Sequence, residues 1–273
     1  MSMNQALSDD RLRRLVPAAF ATQPHAAVSE RYGFVPTVAV IDGLRDEGWF
    51  PVRAQQTRVR DYTRQGVARH MIRFRQDPAR QVQVGDSIAE LVLTNSHDRS
   101  SAYQLDLGLF RLICSNGMVT PVGATGGIRV RHGKNVVDEI LVGSIELVEA
   151  VPNIAARVDA FQSTPMSRGE SELFAESALE LRYGEDWKMS SPVRPADVVH
   201  PRRHEDAQDR TLWGTFNRTQ ENLLKGGLRG QSRSGRLVRT RAVNSVTEDV
   251  RLNRALWKLA ERFAELKGQS LAA

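Results

Sequence analysis

The spacing of apolar residues changes several times along this chain, and each change predicts an element. Residues 1–35 are mainly polar, with one short helical candidate from Asp9 to Phe20. Beyond Pro36, Val38, Val40, Ile41 and Leu44 recur at helical spacing. That run ends at Glu47-Gly48-Trp49, where Gly48 suits the left-handed position that closes a helix. Period-two segments follow at Phe50–Arg60, Ala68–Gln76 and Ser87–Ser96, each read as a strand. Tyr103–Cys114 reads as a further strand or pair of strands, closed by an Asn116-Gly117 turn. Arg129–Arg131 and Val136–Gly143 flank a short loop. From Gly143 to about Tyr183, Ile145, Val148, Val151, Ile154 and Val158 form a helical stripe, which Pro152 and Pro165 are expected to interrupt. Pro192–Pro201 is a linker or ordered loop. A helix over Ala207–Lys225, stopped by Gly226-Gly227, precedes a last helix over Val250–Lys267. No internal repeat is visible.

The expected fold is α+β: a small antiparallel β-sheet core with a preceding helix, then a mainly helical C-terminal half. The chain divides into a lead-in at 1–35, a β-rich basic core at 36–143, and a helical region at 144–273 that carries a basic loop at 225–241.

With 273 residues, 41% of them apolar, the chain is long enough for a real core and is not expected to be disordered. Its apolar runs are too short to span a bilayer. Met1–Arg14 lacks the apolar centre of a signal peptide. The single cysteine, Cys114, excludes an internal disulfide framework and fits a reducing compartment, so a cytoplasmic location is expected.

Charge sharpens the picture. The formal net charge is +6. Residues 51–80 alone carry eight arginines against two aspartates, a local excess as large as that of the whole chain. Arg58 and Arg60 bracket Val59, and Arg73 and Arg75 bracket Phe74, so a strand would place each pair on one face. Like charges at i and i+2 repel, and a phosphate backbone would offset them. Arg53, Arg58, Arg60, Arg64, Arg69, Arg73 and Arg75 are therefore the candidate nucleic-acid contacts of this ribbon. A second basic element, Lys225 with Arg229, Arg233, Arg236, Arg239 and Arg241, contains no acid. It reads as a mobile arm or a β-hairpin. Arginine is common throughout, as it is in GC-rich genomes, so only the clustering is informative.

Other motifs yield to plainer readings. Trp49 reads as a core anchor rather than a base-stacking ring. Asn95-Ser96-His97-Asp98 offers an acid–base pair but reads better as a turn. Cys114 reads as a small buried hydrophobe rather than a nucleophile. His200 and His204 have metal-ligand spacing on a helix, yet Pro201 intervenes and no third ligand is evident. The glycine-rich run 123–127 lacks a Gly-Lys-Ser/Thr and is no phosphate loop. No catalytic residue, cofactor or metal is expected.

Several blocks make the chain resemble a family of prophage and plasmid proteins typified by YafZ and YfjQ, domain of unknown function 932. They are Ser29–Tyr32, Gln55–Arg60, Leu93–Asp98, Phe110–Gly117 and Leu212–Asn222. That resemblance implies a mobile-element origin. A second resemblance is to single-strand annealing proteins, including the phage recombinases RecT and Redβ and the eukaryotic ring-forming annealer. It rests on the helix Val38–Gly48, Trp49, Gln55-Gln56 and the strands to Ser96. It implies a homo-oligomeric ring or filament that holds single-stranded DNA by its phosphates and needs no catalytic residue. The expected function is thus DNA binding and strand annealing in recombination. The alternative is an anti-defence or regulatory protein that binds an acidic phage or host protein surface.

Overall fold

The computed structural model describes residues 6–28, 32–111, 116–120 and 127–269. Cys114 and most of the 123–127 run lie outside these residues. The chain forms two compact units, Met1–Val151 and Pro152–Ala273. Its fold is α+β, with an antiparallel sheet followed by a helical C-terminal half. No helix among the described residues is long and apolar enough to cross a membrane.

The first unit opens with α1 (Asp9–Leu15), capped by the Ser8 side chain, and a 3-10 turn, Pro17–Phe20. Pro17 supplies no amide hydrogen, which splits the expected single helix in two. Helix α2 (Thr37–Asp46) ends before Gly48, whose φ of +83° is the left-handed closure the sequence implied. The strands are β1 (Trp49–Gln56), β2 (His70–Gln76), β3 (Gln83–Val84), β4 (Ser87–Asn95), β5 (Tyr103–Arg111), β6 (Asn116–Thr120) and β7 (Ile128–Val130). They form one sheet in the order β1-β2-β4-β5-β6, with β3 on β4 and β7 on β5. All pairings are antiparallel. In this order β1 lies at an edge, where Pro51 is tolerated beside a register shift.

Alternation assigns the two sheet faces. Ile72, Phe74, Leu91, Leu93, Leu105, Leu107 and Leu109 share one face and are buried. Helix α2 lies on it, because Thr37 reaches His70, Asn95 and Tyr103 from the same face. Helix α3 (Val136–Glu149) joins it there, with Gly143 against Ile128 of β7. Val136–Gly143 is therefore helical and does not mirror Arg129–Arg131 across a loop. Asn116 and Gly117 pair with Arg111 and Phe110 inside the β5–β6 ladder, so they are not the expected turn.

The second unit is helical: α4 (Val151–Ser163), α5 (Arg168–Tyr183), three short helices α6 (Trp187–Ser190), α7 (Pro195–Val198) and α8 (His204–Ala207), then α9 (Leu212–Lys225) and α10 (Val246–Leu266). The hairpin β8 (Arg229–Gln231) and β9 (Leu237–Arg239) separates the last two helices. Thr211 caps α9 by accepting from the Gly214 amide, which sets the start of that helix later than its apolar pattern suggested. Around α9 pack Phe161, Trp213, Phe216 and Trp257, with ring centroids 5.3–5.8 Å apart. Polar α9 residues are buried as well. Gln220 donates to Asn253 at 2.7 Å, and Asn222 donates to the Val198 and His200 carbonyls. Leu212–Asn222 thus ties helices and loops together from inside.

Candidate nucleic-acid interface

In the first unit, exposed arginines of the candidate ribbon gather in the connection between β1 and β2. Strand β1 stops at Gln56, so Arg58 and Arg60 lie beyond the ribbon, in the connection itself. A 3-10 turn, Tyr62–Val67, completes it. Asp61 holds this turn, accepting from the Thr63 amide at 3.0 Å and the Thr63 hydroxyl at 2.6 Å. Those bonds keep its carboxyl below the ordinary range. Gln56 donates to the Gln65 carbonyl at 2.7 Å, and buried Val67 anchors the far end. At the tip Tyr62 is 86% exposed, and Arg58, Arg60 and Arg64 are exposed beside it in sequence. Their guanidinium groups make no hydrogen bond or ion pair among the described residues, although the charge of Arg64 is felt by Asp61 and Asp98. Arg53 is also exposed, and Arg69 is half-buried with its guanidinium on the Ser100 carbonyl.

Tyr62 carries no charge and so does not stand out in the arginine pattern of the sequence. An aromatic ring interleaved with the arginines was the available signal.

Arg73 and Arg75 correct the sequence expectation. Both lie on one face of β2, as period two requires, but that face is covered. Arg73 is 2% exposed and Arg75 5%. Arg73 contacts Glu90 at 3.2 Å and donates to the Met118 and Gly117 carbonyls; Arg75 contacts Glu90 at 2.6 Å. Arg75 also stacks over Phe110 at 3.6 Å. Gly117 makes room for this arrangement, since a Cβ there would sit 2.7 Å from the Arg73 guanidinium. These two arginines neutralise a buried carboxylate and are not presented to a strand of DNA.

The second basic element is an ordered hairpin rather than a mobile arm. The Thr240 amide donates to the Leu228 carbonyl and the Leu228 amide to the Thr240 hydroxyl, the Gly227 amide donates to the Thr240 carbonyl, and the Gln231 amide donates to the Pro192 carbonyl at 2.9 Å. Arg229 pairs directly with Arg239 across the ladder. Arg229, Arg233, Arg236, Arg239 and Arg241 are all exposed, and their guanidinium groups have no hydrogen-bond or ion-pair partner among the described residues. Lys225 differs, binding the buried Glu221 at 2.9 Å. Burial opposes ionisation of Glu221, but Arg203 and Lys225 outweigh it and hold the carboxyl below its ordinary range.

Asn95-Ser96-His97 is fully buried, running from the end of β4 into a bend at residues 97–100. Thr37 Oγ1 lies 2.9 Å from His70 Nε2, 3.1 Å from His97 Nε2 and 3.1 Å from Asn95 Nδ2. The Ala68 carbonyl only accepts, so His70 Nδ1 is its donor and His70 Nε2 accepts from Thr37. Asn95 and His97 then donate to the Thr37 oxygen, which is fully used. Burial holds His70 down at about 4 and, with the repulsion a proton on His97 would meet from protonated His70 and His132, His97 at about 3. Both rings are neutral structural groups. Trp49 is 4% exposed and serves as a core anchor. Among the described residues no group of three or more His, Cys, Asp or Glu side chains is placed to hold a metal ion, His200 and His204 included.

The profile of the family described as "Domain of unknown function (DUF932)" matches residues 24–257. Two Escherichia coli K12 proteins are similar over 259 residues, which is 94% of this chain and 92% of each of them. UPF0380 protein YfjQ is 39% identical and UPF0380 protein YafZ 40%. No solved structure matches the chain significantly.

Proposed function

The chain belongs to the DUF932 family, and from that premise we propose that it is a mobile-element DNA-binding protein that holds single-stranded DNA and anneals complementary strands. One observation carries this reading: a tyrosine in open solvent at the β1–β2 tip, with three exposed arginines within four residues of it in sequence. Single strands are held where a basic surface meets their phosphates and an aromatic ring stacks on a base. Like-charged arginines close together in sequence, with no acid bonded to them among the described residues, gain from a polyanion. The contacts on this reading are Arg53, Arg58, Arg60, Arg64 and Arg69, with Tyr62 stacking. The hairpin arginines of the second unit, Arg229, Arg233, Arg236, Arg239 and Arg241, are a second set of proposed phosphate contacts.

The test is fluorescence anisotropy with labelled oligothymidylate. The Arg58→Glu, Arg60→Glu double variant should lose binding while keeping its circular dichroism. Wild-type affinity in that folded variant would sink the reading. Light scattering with and without the oligonucleotide then tests assembly: a ring or filament that grows on DNA supports annealing. Absence of DNA affinity at physiological salt, with co-purification of an acidic host protein, would instead support the protein-binding alternative.

A further inference from the structure

The second unit contains a cleft between the arginine-bearing hairpin and residues 187–197. It has a volume of about 710 Å³, within the range of small-ligand pockets. The hairpin forms one side through Arg229, Gln231 and Leu237; Trp187, Pro192 and Arg194 form the other. The two sides are fastened together. Beyond the bond from the Gln231 amide to Pro192, a Cβ on Gly230 would lie 2.0 Å from the Pro192 carbonyl oxygen, so only glycine permits this approach. The cleft is therefore a built feature.

Its lining is amphipathic in a specific way. Trp187, 9% exposed, lines it, and so does Leu237, an apolar side chain of the hairpin left 84% exposed. Positive groups dominate: Arg194, Arg229 and Lys188 against the single acid Asp197. Arg194 meets Asp197 only at 3.4 Å and from a guanidinium 83% exposed, a pair of little strength. Arg229 has Arg239 directly across the ladder, and like charges so placed destabilise a hairpin unless an anion joins them. Lys188 lies 5.6 Å from the Trp187 ring centre.

We infer that this cleft binds one nucleotide unit, with its base against Leu237 and the Trp187 wall and its phosphate between Arg229 and Arg239. A nucleotide joins a flat apolar face to a phosphate, and the cleft offers apolar walls beside unpaired guanidinium groups. The inference rests on the nucleic-acid reading for its ligand class but not on the β1–β2 tip, since every residue belongs to the second unit. The nucleotide is either part of a strand or free.

Photo-crosslinking of the full chain with bromouracil-substituted oligothymidylate, followed by peptide mapping, decides between these readings. Cross-links on the peptides holding Trp187 or Leu237 are expected, and they should persist in the Arg58→Glu, Arg60→Glu variant. Cross-links confined to residues 57–69 would overturn the cleft and leave the tip reading intact. Cross-links confined to the second unit would do the reverse, and none anywhere would overturn both. Leu237→Asp, at a position too exposed to affect folding, should weaken oligonucleotide binding by about tenfold, because it removes an apolar contact with the base and sets a negative charge near the phosphate; unchanged affinity would refute the site. Thymidine monophosphate that abolishes the second-unit cross-link identifies the ligand as a free nucleotide. Failure to compete identifies it as a unit of a strand.

Discussion

Glu90 is 0% exposed and sits between Arg73 and Arg75, with both guanidinium groups within ion-pair distance. Its replacement by Gln removes the carboxylate that both buried guanidinium groups contact. Such a change costs about 3–5 kcal/mol, because the stranded charge is not rehydrated. Urea unfolding of Glu90→Gln followed by circular dichroism measures this, and a loss under about 1 kcal/mol would contradict it. His70 and His97 give a pH dependence of known sign. Their folded values, about 4 and about 3, lie below the ordinary 6.5, so the unfolded chain takes up protons first. Their contribution is intact above about pH 6.5 and is lost as pH falls toward 4, by roughly 1.4 kcal/mol per pH unit for each ring. A urea midpoint that stays level over this interval would show that the rings are not buried neutral. Tyr62 is the opposite case. Tyr62→Ala should change stability by less than about 0.5 kcal/mol while weakening oligothymidylate binding by about tenfold.

Elements here start and stop for local reasons the chain spells out. Ser167 and Glu170 form a reciprocal capping box at the start of α5, and Glu170 also takes Lys267 from the end of α10 at 2.5 Å. Ser167→Ala removes the cap and should lower stability by about 1 kcal/mol in a thermal melt. The hairpin depends on Gly230. Gly230→Val cannot keep the Pro192 approach, so β8 and β9 should detach. Limited trypsin digestion should then cut at Arg233 and Arg236 faster than in wild type, and an unchanged digestion pattern would refute the docking. Helix α9 shows why its matching block was legible as a family mark but not as a site. Its polar residues bond inside the unit, so the block reports a scaffold.

At the scale of the whole molecule, the salt dependence of binding counts phosphate contacts. For single strands each neutralised phosphate adds about 0.7 to the slope of log affinity against log salt. Replacing Arg58, Arg60 and Arg64 together should reduce that slope by about two. A slope unchanged in this variant would mean that the tip carries none of the contacts.

The chain's own pattern determined the order and type of its main elements. Helical spacing before Gly48, period two through residues 68–96 and the apolar stripe of α10 each encode local geometry, which sequence carries directly. It also determined that charge clusters in two places. What covers each face was decided only by tertiary structure. Arg58 and Arg73 are the same residue type in the same segment, yet one stands in solvent and the other serves a carboxylate from a neighbouring strand. Alternation states which side chains share a face, but burial depends on partners far apart in sequence. Glu90, Gly117 and Pro192 are such partners, and they separate the arginines that build this protein from those left to meet a ligand.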